Sequence, residues 1–429
     1  MVRQMEYGTD RESEKIKKSD LFLMLLLLLL SGNPFFDQKF SVFISLASVI
    51  SAGYLLRNCN RSVRFRTLFI FTFFIGYEVV HALLFQLDYS QTLLKLFMVL
   101  LFSFVVVNIL KDRFVEVFIQ TMYLITLVSF LFTALCYVPG AGRALYDLAT
   151  VLFPLDKDFR SYSQPTLIVY TFLPEYFNHT LSYTRNAGIF WEGGAFAVYL
   201  NLVLYLKYYT RKVSGYKDLF DKQALVFIVG IFTTVSTMGF LALVCILTFY
   251  SIHFRSNIKY LFLILLLIVS TSAFYNFDFL GDKLSKQLAV SEKENNRFGA
   301  ALMDLEDIAK RPVLGWSRRI EVLFKTNVYD ERSHRPNGLT NLLRSYGLLY
   351  FLVYFYLVYS SFKSIGRFYG NPKRSLALLG ILLLWIVSFS ELIFDHAFFK
   401  SLVFLYLVYE PIMAQFKATV HGGPIALSS

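Results

Sequence analysis

From residue 19 to residue 415, apolar runs follow one another with little interruption, and that succession most constrains the fold. A run that crosses ~30 Å of hydrocarbon finds no water for its backbone N–H and C=O groups, so it must satisfy them internally, as a helix does. Charged residues are 17% of the 429 and hydrophobic residues 56%, whereas soluble domains carry about 25% charged residues. Mean hydropathy is +0.53. The chain therefore reads as an all-α, polytopic integral membrane protein. About twelve transmembrane helices are expected, near 19–36, 38–56, 67–87, 91–110, 114–138, 186–206, 223–237, 239–254, 260–280, 339–361, 375–395 and 397–415.

Lysine and arginine cluster at alternate connections: Arg57/Arg61/Arg64/Arg66, Lys111/Arg113, Lys207/Arg211/Lys212/Lys217/Lys222, Arg255/Lys259 and Lys363/Arg367/Lys373/Arg374. Under the positive-inside rule this alternation places both termini in the cytoplasm. The net charge of +12 is then explained by orientation, and nucleic acid is not expected as a partner. Residues 139–185 and 281–338 fall outside as the only sizeable soluble segments. They divide the chain into N-terminal helices (1–138), a first outer loop (139–185), central helices (186–280), a large outer loop (281–338), and C-terminal helices with a cytoplasmic tail (339–429). Basic residues precede Leu21–Leu30 as in a signal peptide, but Ser31-Gly32-Asn33-Pro34 offers no cleavage site, so a retained first span is expected. Cys59, Cys136 and Cys245 have no metal-ligand spacing and fall at different depths, which argues against a disulfide.

The large loop holds eleven lysines and arginines against nine acids, and the acids concentrate before Arg311. Residues 291–311 carry a helical pattern. Ser291 and Glu294 have capping-box spacing, and Phe298, Leu302, Leu305 and Ile308 recur every three or four residues opposite Asp304, Glu306 and Asp307. Pro312 ends it. Such a helix lies in the membrane plane or caps the bundle.

Two polar clusters stand at outer ends of spans. In the first, Arg185 and Glu192 are seven residues apart and share a face if the helix entering the sixth span is continuous. In the second, Pro336 suits a first helical turn, and Asn337, Asn341 and Arg344 align on one face behind His334. An interfacial anchor and a structural histidine are the plain alternatives. Asp156-Lys157-Asp158 has the D-x-D spacing of some metal sites, though such triplets arise readily by chance. Glu78 with His81 in the third span, and Glu391, Asp395 and His396 near the outer end of the eleventh, are intramembrane ionisable groups. They are functional candidates by default, and buried structural pairs equally often.

At these clusters the chain resembles the O-antigen polymerase and O-antigen ligase superfamily of bacterial membrane glycosyltransferases, over roughly residues 185–350. The matching pieces are Arg185…Gly188-x-Phe190-x-Glu192, Ser236-x-Met238-Gly239, Arg297, Arg311-Pro312-Val313-Leu314-Gly315, His334-x-x-Asn337 and Tyr346-Gly347. The Arg-x-x-Gly-x-Phe-x-Glu form is closer to polymerases, while Gly193 departs from the proline usual there in both subfamilies.

The resemblance implies a GT-C-like bundle in the bacterial inner membrane, its site facing the periplasm and its large loop containing short amphipathic helices. It further implies polymerisation of undecaprenyl-diphosphate-linked repeat units by a glycosyl transfer that needs no metal or other cofactor. Arg185, Arg297 and His334 would form the core, with either His334 or Glu192 as the base. Arg318, Arg319, Arg332 and Arg335 would contact diphosphate or glycan, joined by Asn337, Asn341 and Arg344 along the tenth span. Arginine suits a diphosphate leaving group because its planar fork is permanently charged and bidentate. The implied partners are the lipid-linked donor and acceptor, the lipid bilayer and a chain-length regulator protein. The rivals are a ligase that transfers finished polymer to lipid A–core, and a lipid-linked glycan flippase.

Overall fold

The protein's structure, a computed structural model, describes residues 16–57, 65–86, 88–154, 164–179, 182–211, 213–254, 257–276, 297–318, 322 and 337–420. Among these residues all regular elements are helical, apart from one isolated bridge between Thr166 and Thr171. In chain order the first nine helices are α1 (Lys18–Leu29), α2 (Pro34–Gln38), α3 (Phe40–Arg57), α4 (Phe65–Phe85), α5 (Ser90–Leu110), α6 (Phe114–Cys136), α7 (Ala141–Leu152), α8 (Pro174–Phe177) and α9 (Gly193–Arg211). They are followed by α10 (Tyr216–Leu219), α11 (Lys222–Thr233), α12 (Thr237–Ile252), α13 (Ile258–Asn276), α14 (Arg297–Lys310), α15 (Gly338–Phe368), α16 (Arg374–Ser388), α17 (Ala397–Leu402) and α18 (Leu405–Val420).

Four helical stretches are long and apolar enough to cross a membrane: Phe40–Arg57, Phe65–Phe85, Ser90–Cys136 and Gly338–Phe368. The third is broken at Lys111, whose φ of 50° ends α5 before α6 begins. Shorter apolar helices run over Lys222–Thr233, Thr237–Ile252, Ile258–Ser272 and Arg374–Ser388. Only 28% of the apolar window is buried in each of α3 and α4, so most of their surface needs an apolar medium around it. The run expected as a first span is instead α1, a turn, and α2. Met24, Leu27 and Leu28 of α1 are fully buried, and Asp20 pairs with Arg113.

The centre of the fold is α9. Residues Gly193 to Tyr209 are all buried, with α6, α11, α12 and α16 packed around them. Because neighbouring helices rather than lipid surround it, α9 tolerates polar groups that find partners inside. Asn201 Nδ2 donates to the carbonyls of Ala197 (2.8 Å) and Gly239 (3.1 Å), and Tyr205 Oη donates to Leu376 O (2.8 Å). Lys207 pairs with Asp221, the N-cap of α11. The turn after α11, at Ser236-x-Met238-Gly239, is tight. Val235 adopts φ 51°, and Ser236 Oγ caps α12 by accepting from Gly239 N at 3.2 Å.

The entry to the sixth span differs from the expectation. The sixth span does not start at residue 186, because the helix begins at Gly193; Arg185 and Glu192 lie in a non-helical lead-in, and their spacing puts them on no common helical face. In α14 the leucines are the outward side: Leu302 and Leu305 are half exposed, whereas Asp304 and Asp307 are buried. Asp304 accepts from Thr340 Oγ1 at 2.6 Å and lies 3.7 Å from Arg344, so the acidic face docks on α15. That arrangement suits a helix in the membrane plane, where an apolar face turned away from the protein meets lipid. The capping box at Ser291 and Glu294 lies outside the described residues.

Candidate functional site

The site is built around a break in α15. Gly347 adopts φ 69° and ψ −179° in mid-helix, a region essentially closed to residues with a Cβ. The break frees backbone groups that a continuous helix would occupy, and the segment Pro312–Ser317 takes them up. Trp316 N donates to Arg344 O (2.9 Å), Ser317 N to Ser345 O (2.8 Å), and Leu348 N to Pro312 O (2.7 Å). Gly315 is the partner glycine, at φ 71°, and a Cβ there would lie 2.6 Å from Gly347 N. The two motif pieces Arg311–Gly315 and Tyr346-Gly347 thus interlock.

Helix α4 tacks the same segment down from the other side. Tyr77 Oη donates to Tyr346 O and, at 3.2 Å, to Val313 O, while His81 Nε2 lies 2.8 Å from Leu314 O. Tyr89 and Ser317 share a hydroxyl–hydroxyl bond of 2.5 Å. Arg311 stacks over Trp316 at 4.5 Å, and the Trp316 indole N–H donates to Asp307 O at 2.8 Å.

This scaffold delivers Arg318 into a cluster of charges from four parts of the chain. Its Nε lies 3.5 Å from Glu78 Oε1 on α4, and its Nη1 lies 3.7 Å from Asp395 Oδ2 in the connector between α16 and α17. Tyr346 Oη donates to Glu78 Oε1 at 3.0 Å. Beneath Asp395, fully buried Lys400 places its ammonium 3.4 Å from Asp395 Oδ1 and donates to Tyr350 Oη at 2.9 Å. The rings of Phe74, Tyr350 and Tyr354 stand 5.4–5.6 Å from that ammonium. An ammonium sealed among aromatic rings is costly to desolvate unless paired, and Asp395 supplies the pairing. Glu78 is 1% exposed, whereas Asp395 keeps 47% of its side-chain surface open.

Asp395 opens into a shallow cleft that is open to solvent. Its polar lining is Arg318, Asn341, Ser345 and Asp395, and Leu342, Tyr346 and Phe394 contribute apolar surface. The connector that carries Asp395 also ties two helix starts together. A Cβ on Gly338, the first residue of α15, would collide with Glu391 O, and one on Gly194 of α9 would collide with Glu391 Oε1. Glu192 Oε1 lies 3.7 Å from that same Gly194 Cβ position, so two carboxylates flank the start of α9. Trp191 Nε1 donates to Glu391 Oε2 at 3.2 Å, and its ring lies 5.0 Å from that of His396. Asp37 and Lys95 stand within electrostatic reach of His396 and Asp395.

No protein-family model matches the chain, and no curated protein sequence matches it.

The expected site residues distribute as follows. Arg185 Nε donates to Thr234 O at 3.3 Å, in the α11–α12 turn. That carbonyl also crowds Gly193, where a Cβ would lie 2.5 Å away, so no side chain fits at 193. Glu192 is half-buried beside Gly194, and Arg318 and Asn341 line the cleft. Asn337 is the N-cap of α15, its Oδ1 accepting from the backbone N–H groups of Leu339 and Thr340 at 3.1 Å each. Arg344 turns to buried Asp304 and holds α14 on α15. The aligned stripe thus divides into a cap, a cleft residue and a structural ion pair. Arg297 is the first residue of α14, and its side chain lies outside what the structure describes. His334, Arg319, Arg332, Arg335 and the D-x-D triplet Asp156-Lys157-Asp158 also lie outside the described residues.

Lys400 and Lys95 went unnoticed in the sequence, because each is a single cation inside an apolar run. Glu78, His81, Glu391, Asp395 and His396 stood out there as intramembrane ionisable groups. Glu78 and Asp395 meet at Arg318, while His81 holds the Leu314 carbonyl and acts as a strut. Among the described residues no cluster of three or more His, Cys, Asp or Glu side chains is arranged to hold a metal ion.

Proposed function

We propose that the protein is a membrane glycosyltransferase with about twelve spans and a GT-C-like bundle, polymerising undecaprenyl-diphosphate-linked repeat units at the outer face of a bacterial inner membrane. The observation that carries this reading is convergence. Gly193 and Gly194, the Thr234–Gly239 turn, Arg311–Gly315, Asn337 and Tyr346-Gly347 are separate in sequence. They form two groups along α15: Gly193, Gly194, the Thr234–Gly239 turn and Asn337 gather at the starts of α9 and α15 beside the connector 389–396, and Arg311–Gly315 lock onto Tyr346-Gly347 further along α15, where Arg318 enters the charged cluster. In the sequence the charge beyond the basic connections falls largely in one outer segment, 281–338, and no repeat of the two halves is visible, which favours an enzyme over a flippase.

In this reading the acceptor hydroxyl oxygen forms a bond to the anomeric carbon of the donor as the bond from that carbon to the diphosphate oxygen breaks. The electron pair leaves with undecaprenyl diphosphate, whose growing charge Arg185 and Arg297 stabilise. The hydroxyl proton passes to a base, His334 or Glu192.

The test is complementation. Variants Arg185→Ala, His334→Ala and Arg318→Ala are expressed in a strain lacking the gene, and surface glycan and lipid-linked intermediates are both examined. Polymerase function predicts loss of long chains with single-repeat capping retained. Accumulated lipid-linked polymer without surface attachment identifies a ligase, and intermediates trapped at the cytoplasmic face identify a flippase. Wild-type glycan in all three variants overturns the proposed site.

A further inference from the structure

We infer that the cleft beside Arg318 holds an uncharged sugar ring of the lipid-linked glycan and not its diphosphate. This rests on the glycosyl-transfer reading and divides the site into two halves with different chemistry.

The first ground is charge. A diphosphate subsite needs cations whose charge is left over for the ligand. Among the described residues at the cleft, Arg318 faces Glu78 at 3.5 Å and Asp395 at 3.7 Å, and Lys400 behind it faces Asp395 at 3.4 Å. Two cations are balanced by two carboxylates, and Lys95 and Asp37 nearby add one charge of each sign. The exposed member of the group at the mouth is Asp395, which repels a phosphate oxygen. Arg185, by contrast, is held by the neutral carbonyl of Thr234 and has no carboxylate among its described hydrogen bonds.

The second ground is the lining. A pyranose offers hydroxyls that both donate and accept, and C–H faces that pack on apolar surface. Asp395 accepts, Arg318 donates, Asn341 offers its amide N–H groups, and Ser345, whose proton goes to Asn341, accepts. Leu342, Tyr346 and Phe394 supply the apolar contacts.

The third ground is rigidity. Ser345 Oγ donates to Asn341 Oδ1 at 3.1 Å, and Lys400 holds Asp395 from below. Polar groups fixed before the ligand arrives discriminate hydroxyl positions, because a misplaced hydroxyl leaves a buried partner unpaired.

The test uses purified full-length protein in nanodiscs with two probes, undecaprenyl diphosphate and undecaprenyl diphosphate bearing a single hexose. The wild type is expected to bind the sugar-bearing lipid more tightly. Asp395→Asn, which keeps the side-chain shape, is expected to weaken that binding at least tenfold and leave the bare diphosphate lipid unaffected. Asn341→Ala, a truncation at the half-buried cleft wall that leaves every charge in place, is expected to show the same selective loss and covers the case in which Asp395→Asn does not fold. Equal loss for both probes, or no loss for either, overturns the sugar assignment while leaving glycosyl transfer standing. A wild type that binds neither probe overturns the glycosyl-transfer reading and this assignment with it.

Discussion

Replacing Gly347 by alanine tests the scaffold that positions Arg318. At φ 69° and ψ −179° an L-residue is strained by about 1–3 kcal/mol, and the new Cβ would also collide with Val313 O. The chain can relieve both by letting α15 continue as a regular helix, which expels Pro312–Ser317. That route gives up three hydrogen bonds, from Trp316 N, Ser317 N and Leu348 N, at about 0.5–1.5 kcal/mol each. The strained route costs about 1–3 kcal/mol plus the clash and the second roughly 1.5–4.5 kcal/mol, and both displace Arg318 from Glu78 and Asp395. The assay is unfolding of the purified protein in detergent micelles, with Gly53→Ala and Gly76→Ala as controls. Those two glycines lie within α3 and α4 with nothing within 4 Å of an added Cβ, so alanine there should stabilise by about 0.5–1 kcal/mol. A Gly347→Ala protein as stable as either control would refute the interlock.

Two further outcomes follow from the packing. Asp304→Ala or Arg344→Ala alone should cost about 3–5 kcal/mol by stranding a buried charge, while the double variant should cost clearly less than the sum; simple additivity in a double-mutant cycle would remove the ion pair from the account. A fluorophore on a Leu305→Cys variant should be quenched by brominated lipid tails, because that side of α14 faces away from the protein; quenching by aqueous iodide instead would show that α14 stands clear of the membrane.

Hydrophobic runs made the helices legible, because the period and length of an apolar segment report on a bilayer directly. They did not report which helix is enclosed by others. Helix α9 carries tyrosines, Asn201 and Lys207 that lower its hydropathy, and yet Gly193 to Tyr209 are all buried because its polar groups find partners inside. In α14 the pattern correctly separates leucines from aspartates. Which face meets the protein is not contained in the periodicity, and in a membrane the apolar side can be the outer one.

The site was legible in pieces. Arg185, Glu192, Arg318 and Asn341 could be named from the chain, and Glu78 and Asp395 could be noted as charges out of place. Their meeting depends on the Gly347 break, and a glycine inside an apolar run signals a positive φ only when something packs against it, here Val313 and Gly315. Lys400 is a lone cation in a run of aromatic and aliphatic residues, so its pairing with Asp395 exists only in three dimensions.

The most direct test of the central claim is reconstitution. Purified protein in lipid vesicles is given lipid-linked repeat units, and glycan length is followed together with released undecaprenyl diphosphate. The account predicts chains that lengthen with one undecaprenyl diphosphate released per added repeat, and neither product from Arg185→Ala. Movement of the lipid-linked unit across the bilayer with no lengthening and no release would contradict it.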